Sequence, residues 1–235
     1  MTSDKPWSNP PEDLLRPTPN NMYDWPAPRP NIVWEEFPTD MTFEDYHVRA
    51  ESFGMQHTPT HGRILFTEAR IGIGEGYIIE TGTYWASGAC YAAAGSKTAR
   101  REKVITIDID RGHKHTMYSS EFYDRVPGGI ARAYMNALMM GVQDWIISIR
   151  GSVEEVIPLL NMKVRLAHVD GGHDADNCGL DVVLIEPLMI SGAKMVFHDY
   201  NSLTVQEAIE KYVKGASWCD EFVVLSSETA YAVKR

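Results

Sequence analysis

The sequence predicts an α/β fold: a doubly wound, mostly parallel sheet of seven strands with helices on both faces and a C-terminal antiparallel β-hairpin. From residue 76 onward, short apolar runs rich in Val and Ile alternate with longer stretches of helical period, which is typical of parallel strands covered by helices. The last two runs are separated only by Ser227 and Glu228, too short a connection for a parallel crossover. They are therefore predicted to pair as a hairpin.

The predicted elements follow one another in regular alternation. Strands are expected where apolar, β-branched residues cluster, at 77–81, 104–110, 144–150, 164–170, 193–199, 221–226 and 229–234. Helices are expected between and after them, at 87–96, within 111–141, and at 153–160, 175–190 and 205–213. His168 lies within a predicted strand and is interpreted as a structural, hydrogen-bonded histidine. Three methionines of one helical stretch are predicted to be core residues, namely Met135, Met139 and Met140.

Two segments precede the sheet domain, which is assigned to residues 76–235. Residues 1–40 hold most of the 13 prolines and half of the six tryptophans; this proline density opposes regular structure. The aromatic content favours an arm packed on the body or on a partner subunit over a mobile tail, and such an arm suits a homodimer. Residues 41–75 are predicted to form two helices that cover the ligand edge of the sheet, the first beginning at Thr42 with Asp45 as a capping box.

Composition and charge exclude several classes of function. The net charge is −10 and the only adjacent basic pair that stands out is Arg100-Arg101, which argues against nucleic-acid binding. We expect no membrane span, because no apolar run is long enough, and no secretory signal is visible. The three cysteines, Cys90, Cys178 and Cys219, are far apart in the sequence and suit neither a disulfide framework nor a thiolate zinc site. A cytoplasmic protein with a small-molecule substrate is expected.

Two glycine-containing strings compete for the role of a cofactor loop. The string GIGEG at 72–76 comes before the first predicted strand, whereas a cofactor loop must connect a strand to the N-terminus of a helix. We therefore interpret 72–76 as a helix end and loop. The string ETGTYWASG at 80–88 lies between the first strand and its helix and is the predicted cofactor loop.

Polar residues gather at the predicted ends of the strands. In doubly wound sheets the ligand binds beyond the carboxyl ends of the strands, where the strand order reverses. Acidic residues end most of the first five strands or follow them directly, and such a cluster needs a positive partner. The candidates are Glu80 to Tyr84, Asp108 with Asp110, Gly151 to Val153, Asp170 to His173, and His198 to Tyr200.

Four motifs, taken together, resemble the class I S-adenosylmethionine-dependent methyltransferases, which have a Rossmann-like fold. They are ETGTY at 80–84, VITIDID at 104–110, VDGGHDADNCGLDVV at 169–183 and MVFHDY at 195–200. The sequence is most similar to the small O-methyltransferases that include catechol O-methyltransferase and the macrocin O-methyltransferase and cephalosporin-hydroxylase-like group. The resemblance covers about residues 60–235 and includes the final hairpin.

The resemblance implies a set of residues that bind S-adenosylmethionine. Asp108 would accept hydrogen bonds from the ribose hydroxyls, with Asp110 as the alternative if the strand ends later. The second glycine that is usual in the cofactor loop is replaced here by Ala86. The whole implied set consists of Glu80, Gly82, Thr83, Tyr84 and Ser87 near the methionine end, Asp108 at the ribose, Ser152 and Val153 beside the adenine, and Asp170.

The resemblance also implies a divalent-metal site formed by Asp170 and Asp199, usually occupied by magnesium. His198 and Asn201 are the candidates for a third ligand, since Tyr200 replaces the Asn of the catechol-type enzymes. A histidine ligand would favour a transition metal over magnesium. The alternative is a metal-free pocket in which Asp199 and His198 act through hydrogen bonds.

Catalysis is assigned to His173 and Asp170. His173 falls at the position of the catalytic-base lysine of the catechol-type enzymes, and histidine can accept a hydroxyl proton near neutral pH. The predicted reaction is methyl transfer to a small-molecule hydroxyl. Two alternatives remain open: a non-catalytic cofactor-binding module of a biosynthetic complex, and an NAD-dependent oxidoreductase. The oxidoreductase is disfavoured because no G-x-G-x-x-G string follows the first strand.

Overall fold

The computed structural model describes residues 41–53, 55, 57–110 and 129–235. The predicted N-terminal arm, residues 1–40, lies outside the described residues, and so do residues 111–128. Among the described residues, no helix combines the length and the apolar character that crossing a bilayer would require.

The described residues form seven α-helices and seven strands. The helices are α1 Phe43–Ser52, α2 Pro59–Ile71, α3 Ser87–Ala99, α4 Gly129–Met139, α5 Val153–Val156, α6 Ala175–Ile185 and α7 Leu203–Tyr212. The strands are β1 Tyr77–Thr81, β2 Val104–Asp108, β3 Ile146–Arg150, β4 Val164–Val169, β5 Met189–Phe197, β6 Cys219–Val224 and β7 Ala230–Lys234.

The strands form one sheet in the order β3-β2-β1-β4-β5-β7-β6. Strands β1 to β5 are parallel to one another, and β7 is antiparallel to both β5 and β6. The predicted fold class and its terminal hairpin are therefore confirmed. The strand order reverses at β1 and β4, so a crevice is expected beyond the carboxyl ends of these two strands.

Several predicted boundaries were wrong, and proline accounts for two of them. The helix predicted at 175–190 ends at Ile185 and continues as a 3₁₀ segment with Pro187 in its first turn. The helix predicted at 153–160 is a single turn followed by a 3₁₀ segment that contains Pro158. In both cases proline lacks the N–H that continued α-helical hydrogen bonding needs. Strand β5 begins at Met189, earlier than predicted.

Apolar side chains pack on both faces of the sheet. Because side chains alternate along a strand, the neighbours Ile78 and Ile79 of β1 belong to opposite cores. One core lies under α1, α2 and α3 and contains Tyr46 and Leu65, while the other lies under α6 and α7. Met140 is buried as predicted, but Met135 is half exposed, so the core assignment of Met135 was wrong.

Helix α1 has a local cap at its start, and α2 is fixed to the sheet through Arg165. Helix α1 begins with the predicted capping box, in which Asp45 N donates to Thr42 Oγ1 at 3.3 Å and Thr42 N donates to Asp45 Oδ2 at 2.8 Å. Arg165 of β4 donates to the carbonyls of Glu68 and Ala69 at the end of α2, at 2.9 and 2.7 Å. Helix α2 ends at Ile71 with Gly72 as its C-cap, which confirms the interpretation of 72–76 as a helix end and loop. Arg165 thereby sets the position of α2, whose other end reaches the site described next.

Candidate functional site

A cleft of about 1210 Å³ lies beyond the carboxyl ends of β1, β2, β3 and β4. Most of the residues predicted from the strand tips line it together, so the tips do meet in one crevice. The predicted residues on its wall are Gly82, Tyr84, Asp108, Ser152, Val153, Asp170 and His173.

Gly82 is the point at which the cofactor loop leaves β1. Its φ is +82°, and a Cβ there would lie 2.1 Å from the carbonyl oxygen of Asp170, so only glycine fits. Further along the same loop, Ala86 also adopts a left-handed conformation, with φ of 59°. The loop thus keeps a glycine-like turn at Ala86, at a cost of about 1 kcal/mol or more.

Asp108 ends β2 as predicted and ties the cofactor loop to the tip of that strand. Its Oδ2 accepts from the backbone N of Tyr84 at 2.9 Å, and its Oδ1 accepts from the N of Asp110 at 2.7 Å. Asp110 instead accepts from the N of Ile130 at the start of α4, at 3.2 Å. The two acids therefore have separate local roles, and Asp108 is the one held directly against the cofactor loop.

Ser152 and Val153 form the opposite part of the cleft wall. Ser152 is the N-cap of α5, where its Oγ accepts from the N of Glu155 at 3.3 Å, and Glu155 returns a bond to Ser152 N at 3.4 Å. This capping box fixes the loop that follows β3.

Three residues predicted to bind the cofactor are buried and do not line the cleft. Glu80 is almost fully buried, with its Oε1 3.0 Å from Nδ1 of His168. Thr83 is buried as well, and its Oγ1 lies 2.6 Å from Oγ1 of Thr106. Ser87 Oγ is buried without a hydrogen-bond partner among the described residues. Binding by these side chains stays a prediction.

On the β4 and β5 side of the crevice, two acids and two histidines form a compact cluster. Nδ1 of His198 lies 3.0 Å from Asp170 Oδ1 and 3.3 Å from Asp199 Oδ2. Nε2 of His173 lies 3.0 Å from the same Oδ2 of Asp199. Asp199 has a left-handed backbone, with φ of 50°, an uncommon conformation that is often found at functional sites.

His198 supplies the positive charge that the acidic cluster requires. Burial lowers its pKa, but hydrogen bonds to Asp170 and Asp199 outweigh that effect and raise it to about 10. Burial raises the pKa of Asp170 and Asp199, and the interaction with His198 reverses this, so both values lie below the usual range. At neutral pH this part of the site therefore holds an imidazolium between two carboxylates.

Three further residues of the site were missed by sequence reasoning. His57 Nε2 lies 3.1 Å from Asp170 Oδ2, and His61 of α2 lies behind it, with their ring centroids 4.6 Å apart. Their spacing of four residues at the start of a predicted helix was the available signal. Asp181 of α6 lines the cleft, and Thr81 Oγ1 donates to its Oδ2 at 2.7 Å.

The donor groups at the strand tips fit a divalent cation. Among the described residues, one set of ligand atoms within 4.8 Å of one another comes from Asp170, His173 and Asp199, and another comes from His57, Asp170 and His198. Mixed carboxylate and imidazole donors suit manganese, iron or zinc better than magnesium, which prefers oxygen.

The comparisons with known proteins agree with this geometry. A family model described as a methyltransferase domain matches residues 79–200, which is more than half of the chain. No curated protein matches the chain. The structure is similar to that of the O-methyltransferase NovP, with a TM-score of 0.63 and 13% identity over 80% of this chain and 88% of that chain.

Two structures solved with cofactor or its product have the same fold. The O-methyltransferase TomG from Streptomyces achromogenes, involved in tomaymycin synthesis and solved in complex with SAM, gives a TM-score of 0.56 at 14% identity, over 85% of this chain and 91% of that chain. The O-methyltransferase from Bacillus cereus, solved in complex with SAH, gives 0.55 at 15% identity, over 86% and 94%. At such low identity the likeness shows a shared fold. Together with the family match over the strand tips, it shows that this chain belongs to the methyltransferase-domain family.

Proposed function

We propose that the protein transfers a methyl group from S-adenosylmethionine to a hydroxyl group of a small molecule. One observation supports this proposal above the others: a single cleft joins the predicted cofactor loop at Gly82 and Asp108 to His173, which lies within hydrogen-bonding distance of Asp199. The methyl donor and His173, the proposed base, would therefore face the same cleft.

The charge of the cleft fits this cofactor better than a dinucleotide. Its wall carries many carboxylates and few basic groups, which favours a sulfonium cation and repels the pyrophosphate of NAD. Arg150 is the arginine on this wall, and its Nε lies 3.8 Å from Asp110 Oδ2. The acidic residues on the wall are Asp108, Asp110, Glu154, Glu155, Asp170, Asp174 and Asp181.

Within the proposed complex, each part of the wall has a task. Gly82 lets the backbone approach the methionine end, and Asp108, already held by two backbone N–H groups, offers its remaining lone pairs to the ribose hydroxyls. Ser152 and Val153 lie beside the adenine. In this proposed arrangement the sulfonium methyl would face Asp170 and His173.

The reaction is an in-line displacement. A lone pair of the acceptor oxygen forms the new C–O bond as the S–C bond breaks, and the electron pair of that bond returns to sulfur. Nε2 of His173 lies 3.0 Å from Asp199 Oδ2, which would leave Nδ1 to take the acceptor proton, as in a base–acid dyad. Most of the rate comes from holding donor and acceptor at reacting distance.

Asp170, Asp199 and His198 are the residues that would hold a divalent cation. Such an ion would orient the acceptor hydroxyl and lower its pKa. His198 Nδ1 lies between both carboxylates, so it must release its proton before it can act as a ligand. If turnover persists after exhaustive treatment with a chelator, the reaction does not need the ion.

Mass spectrometry with S-adenosylmethionine carrying a deuterated methyl group tests the proposal. We would incubate the full chain with panels of phenols, catechols and sugar alcohols and look for labelled ethers. Labelled product that depends on the protein is the expected result. Tight binding of the cofactor with no labelled product from any acceptor would contradict catalysis and favour a non-catalytic cofactor-binding module.

A further inference from the structure

Four histidines crowd together beneath Asp170. His57 precedes α2, His61 lies in its first turns, His168 lies in β4, and His198 follows β5. The ring centroid of His57 is 4.6 Å from that of His61 and 4.5 Å from that of His198, and His61 and His198 are 4.7 Å apart. His61 and His168 are essentially fully buried. So many imidazoles in an interior are costly unless each finds a strong partner.

Ring nitrogens of three of these histidines lie close together. Nε2 of His61 lies 2.8 Å from Nε2 of His168, and ligand atoms of His57, His61 and His168 all lie within 4.8 Å of one another. Asp170 turns its Oδ2 toward the same group, 3.1 Å from Nε2 of His57 and 4.0 Å from Nε2 of His168. Three imidazoles thus bring ligand nitrogens into one small space, with Asp170 Oδ2 beside two of them.

The outer nitrogens of two rings are already held by oxygen groups. Nδ1 of His168 donates to Glu80 Oε1 at 3.0 Å, and Nδ1 of His61 lies 3.0 Å from Thr229 Oγ1. Histidines that bind metals commonly have their second nitrogen fixed by a carboxylate or another oxygen in this way. Gly88 of α3 makes room for this support, since a Cβ there would lie 2.4 Å from Glu80 Oε1 and from His168 Cε1.

We propose that His57, His61 and His168, with Oδ2 of Asp170, bind a transition-metal ion of the zinc type. Three imidazoles and a carboxylate make a four-coordinate set that leaves no open position, which is typical of a structural site. The ion would join the start of α2 to β4, directly under the cofactor loop that Glu80 supports. This site differs from the pair formed by Asp170 and Asp199, where Asp170 offers Oδ1.

The metal-free alternative is a chain of hydrogen bonds from Thr229 through His61 and His168 to Glu80. That chain accounts for the four groups along it. It leaves out His57, whose Nε2 lies 3.1 Å from Asp170 Oδ2 instead.

The test is metal binding by the purified full chain, stripped with a chelator and then titrated with Zn²⁺ or Co²⁺. We expect a Zn²⁺ ion at the histidine site, separate from any ion held at Asp199. Its affinity should fall at least tenfold in His57→Ala and in His61→Asn. We also expect a Co²⁺ absorption spectrum and X-ray absorption with imidazole neighbours in the wild type. Zn²⁺ should raise the Tm of the wild type and leave that of His57→Ala unchanged.

Two control variants keep the result specific. His47→Ala changes a histidine of α1 that bonds to Tyr91, at 2.6 Å, instead of to the cluster; Asp199→Asn changes the neighbouring acid pair. Both should retain the ion. Absence of Zn²⁺ from the wild type, or loss of binding only in Asp199→Asn, would overturn the proposal. His57 lies in a loop, so its variant remains informative even if the His61 variant fails to fold. Methyl transfer is measured separately, so either proposal can fail alone.

Discussion

His173 is the residue on which the proposed proton transfer depends. Its Nε2 lies 3.0 Å from Asp199 Oδ2, and Asp199 also contacts His198. The hydroxyl of Thr204 donates to the backbone carbonyl of His173, which holds the loop in place. In the proposed reaction such a base would act on the acceptor hydroxyl without touching the proposed cofactor contacts at Gly82 and Asp108.

Replacing His173 with Ala should lower kcat while leaving cofactor affinity nearly unchanged. The expected loss is about 10²- to 10⁴-fold, the usual contribution of a positioned general base. Steady-state kinetics with the true acceptor, together with calorimetry using S-adenosylhomocysteine, would separate the two effects. Full activity in this variant would show that another group accepts the proton.

Asp108 should control cofactor affinity instead. Asp108→Ala removes the acceptor for the ribose hydroxyls and for two backbone N–H groups, so we expect a loss of about 1.5–3 kcal/mol in binding, at least tenfold. Asp110→Asn is the matched control, since its partners are the start of α4 and Arg150. Equal losses in both variants would contradict the separate roles assigned to these acids.

At the scale of elements, the site depends on how closely β1 and β4 approach each other at their tips. Asp170 N donates to the carbonyl of Thr81 at 3.0 Å, and Gly82 passes against the carbonyl of Asp170. Helix α6 reinforces the same point through Asp181, which accepts from Thr81. Two single substitutions test this junction.

Gly82→Ala should destabilise the fold more than Gly215→Ala does. Both glycines have positive φ, +82° and +76°, so each substitution carries a similar conformational cost of about 1 kcal/mol or more. A Cβ at Gly215 meets no atom within 4 Å, whereas a Cβ at Gly82 would clash with Asp170. Urea unfolding measures both free energies of unfolding. Equal losses would mean that the β1–β4 approach is looser than the structure shows.

Asp181 should make stability fall as the pH rises. Burial raises the pKa of its carboxyl from 3.8 to about 7, against the lowering effect of the hydrogen bond from Thr81. The folded state therefore holds a proton that the unfolded state releases, so this stabilisation is complete below pH 4 and is lost as the pH passes 7. The loss is at most about 4 kcal/mol. Asp181→Asn should flatten this part of the pH profile of unfolding, and an unchanged slope would contradict it.

The elements show why some features could be predicted and others could not. Strand β1 matches its prediction at both ends, since a run of apolar and β-branched residues bounded by Gly76 and Gly82 is a local pattern. The helices that end at Ile185 and Val156 are shorter than predicted, because each is followed by a 3₁₀ segment that contains a proline. His57 approaches Asp170 only because α2 packs across the sheet, a contact between distant parts of the sequence. Local patterns were therefore enough to predict the strand tips. The approach of His57 to Asp170 could not be predicted, because it arises only through tertiary packing.

At the scale of the whole molecule, family and fold agree with the sequence motifs. The matched domain spans residues 79–200, which include the tips of β1 to β5. The aromatic arm at 1–40, on which the expected homodimer depends, and most of the loop at 111–130 that would help select the acceptor lie outside the described residues. The acceptor class and the homodimer accordingly stay predictions.

The central claim is that the acids and the glycine at the strand tips form one crevice for a sulfonium nucleoside. Isothermal titration calorimetry of the full chain with S-adenosylhomocysteine, compared with NAD and repeated with Asp108→Ala, tests it most directly. The account predicts saturable binding of S-adenosylhomocysteine that weakens at least tenfold in the variant, with no heat from NAD. Binding of NAD, or binding of S-adenosylhomocysteine that is unchanged in Asp108→Ala, would contradict it.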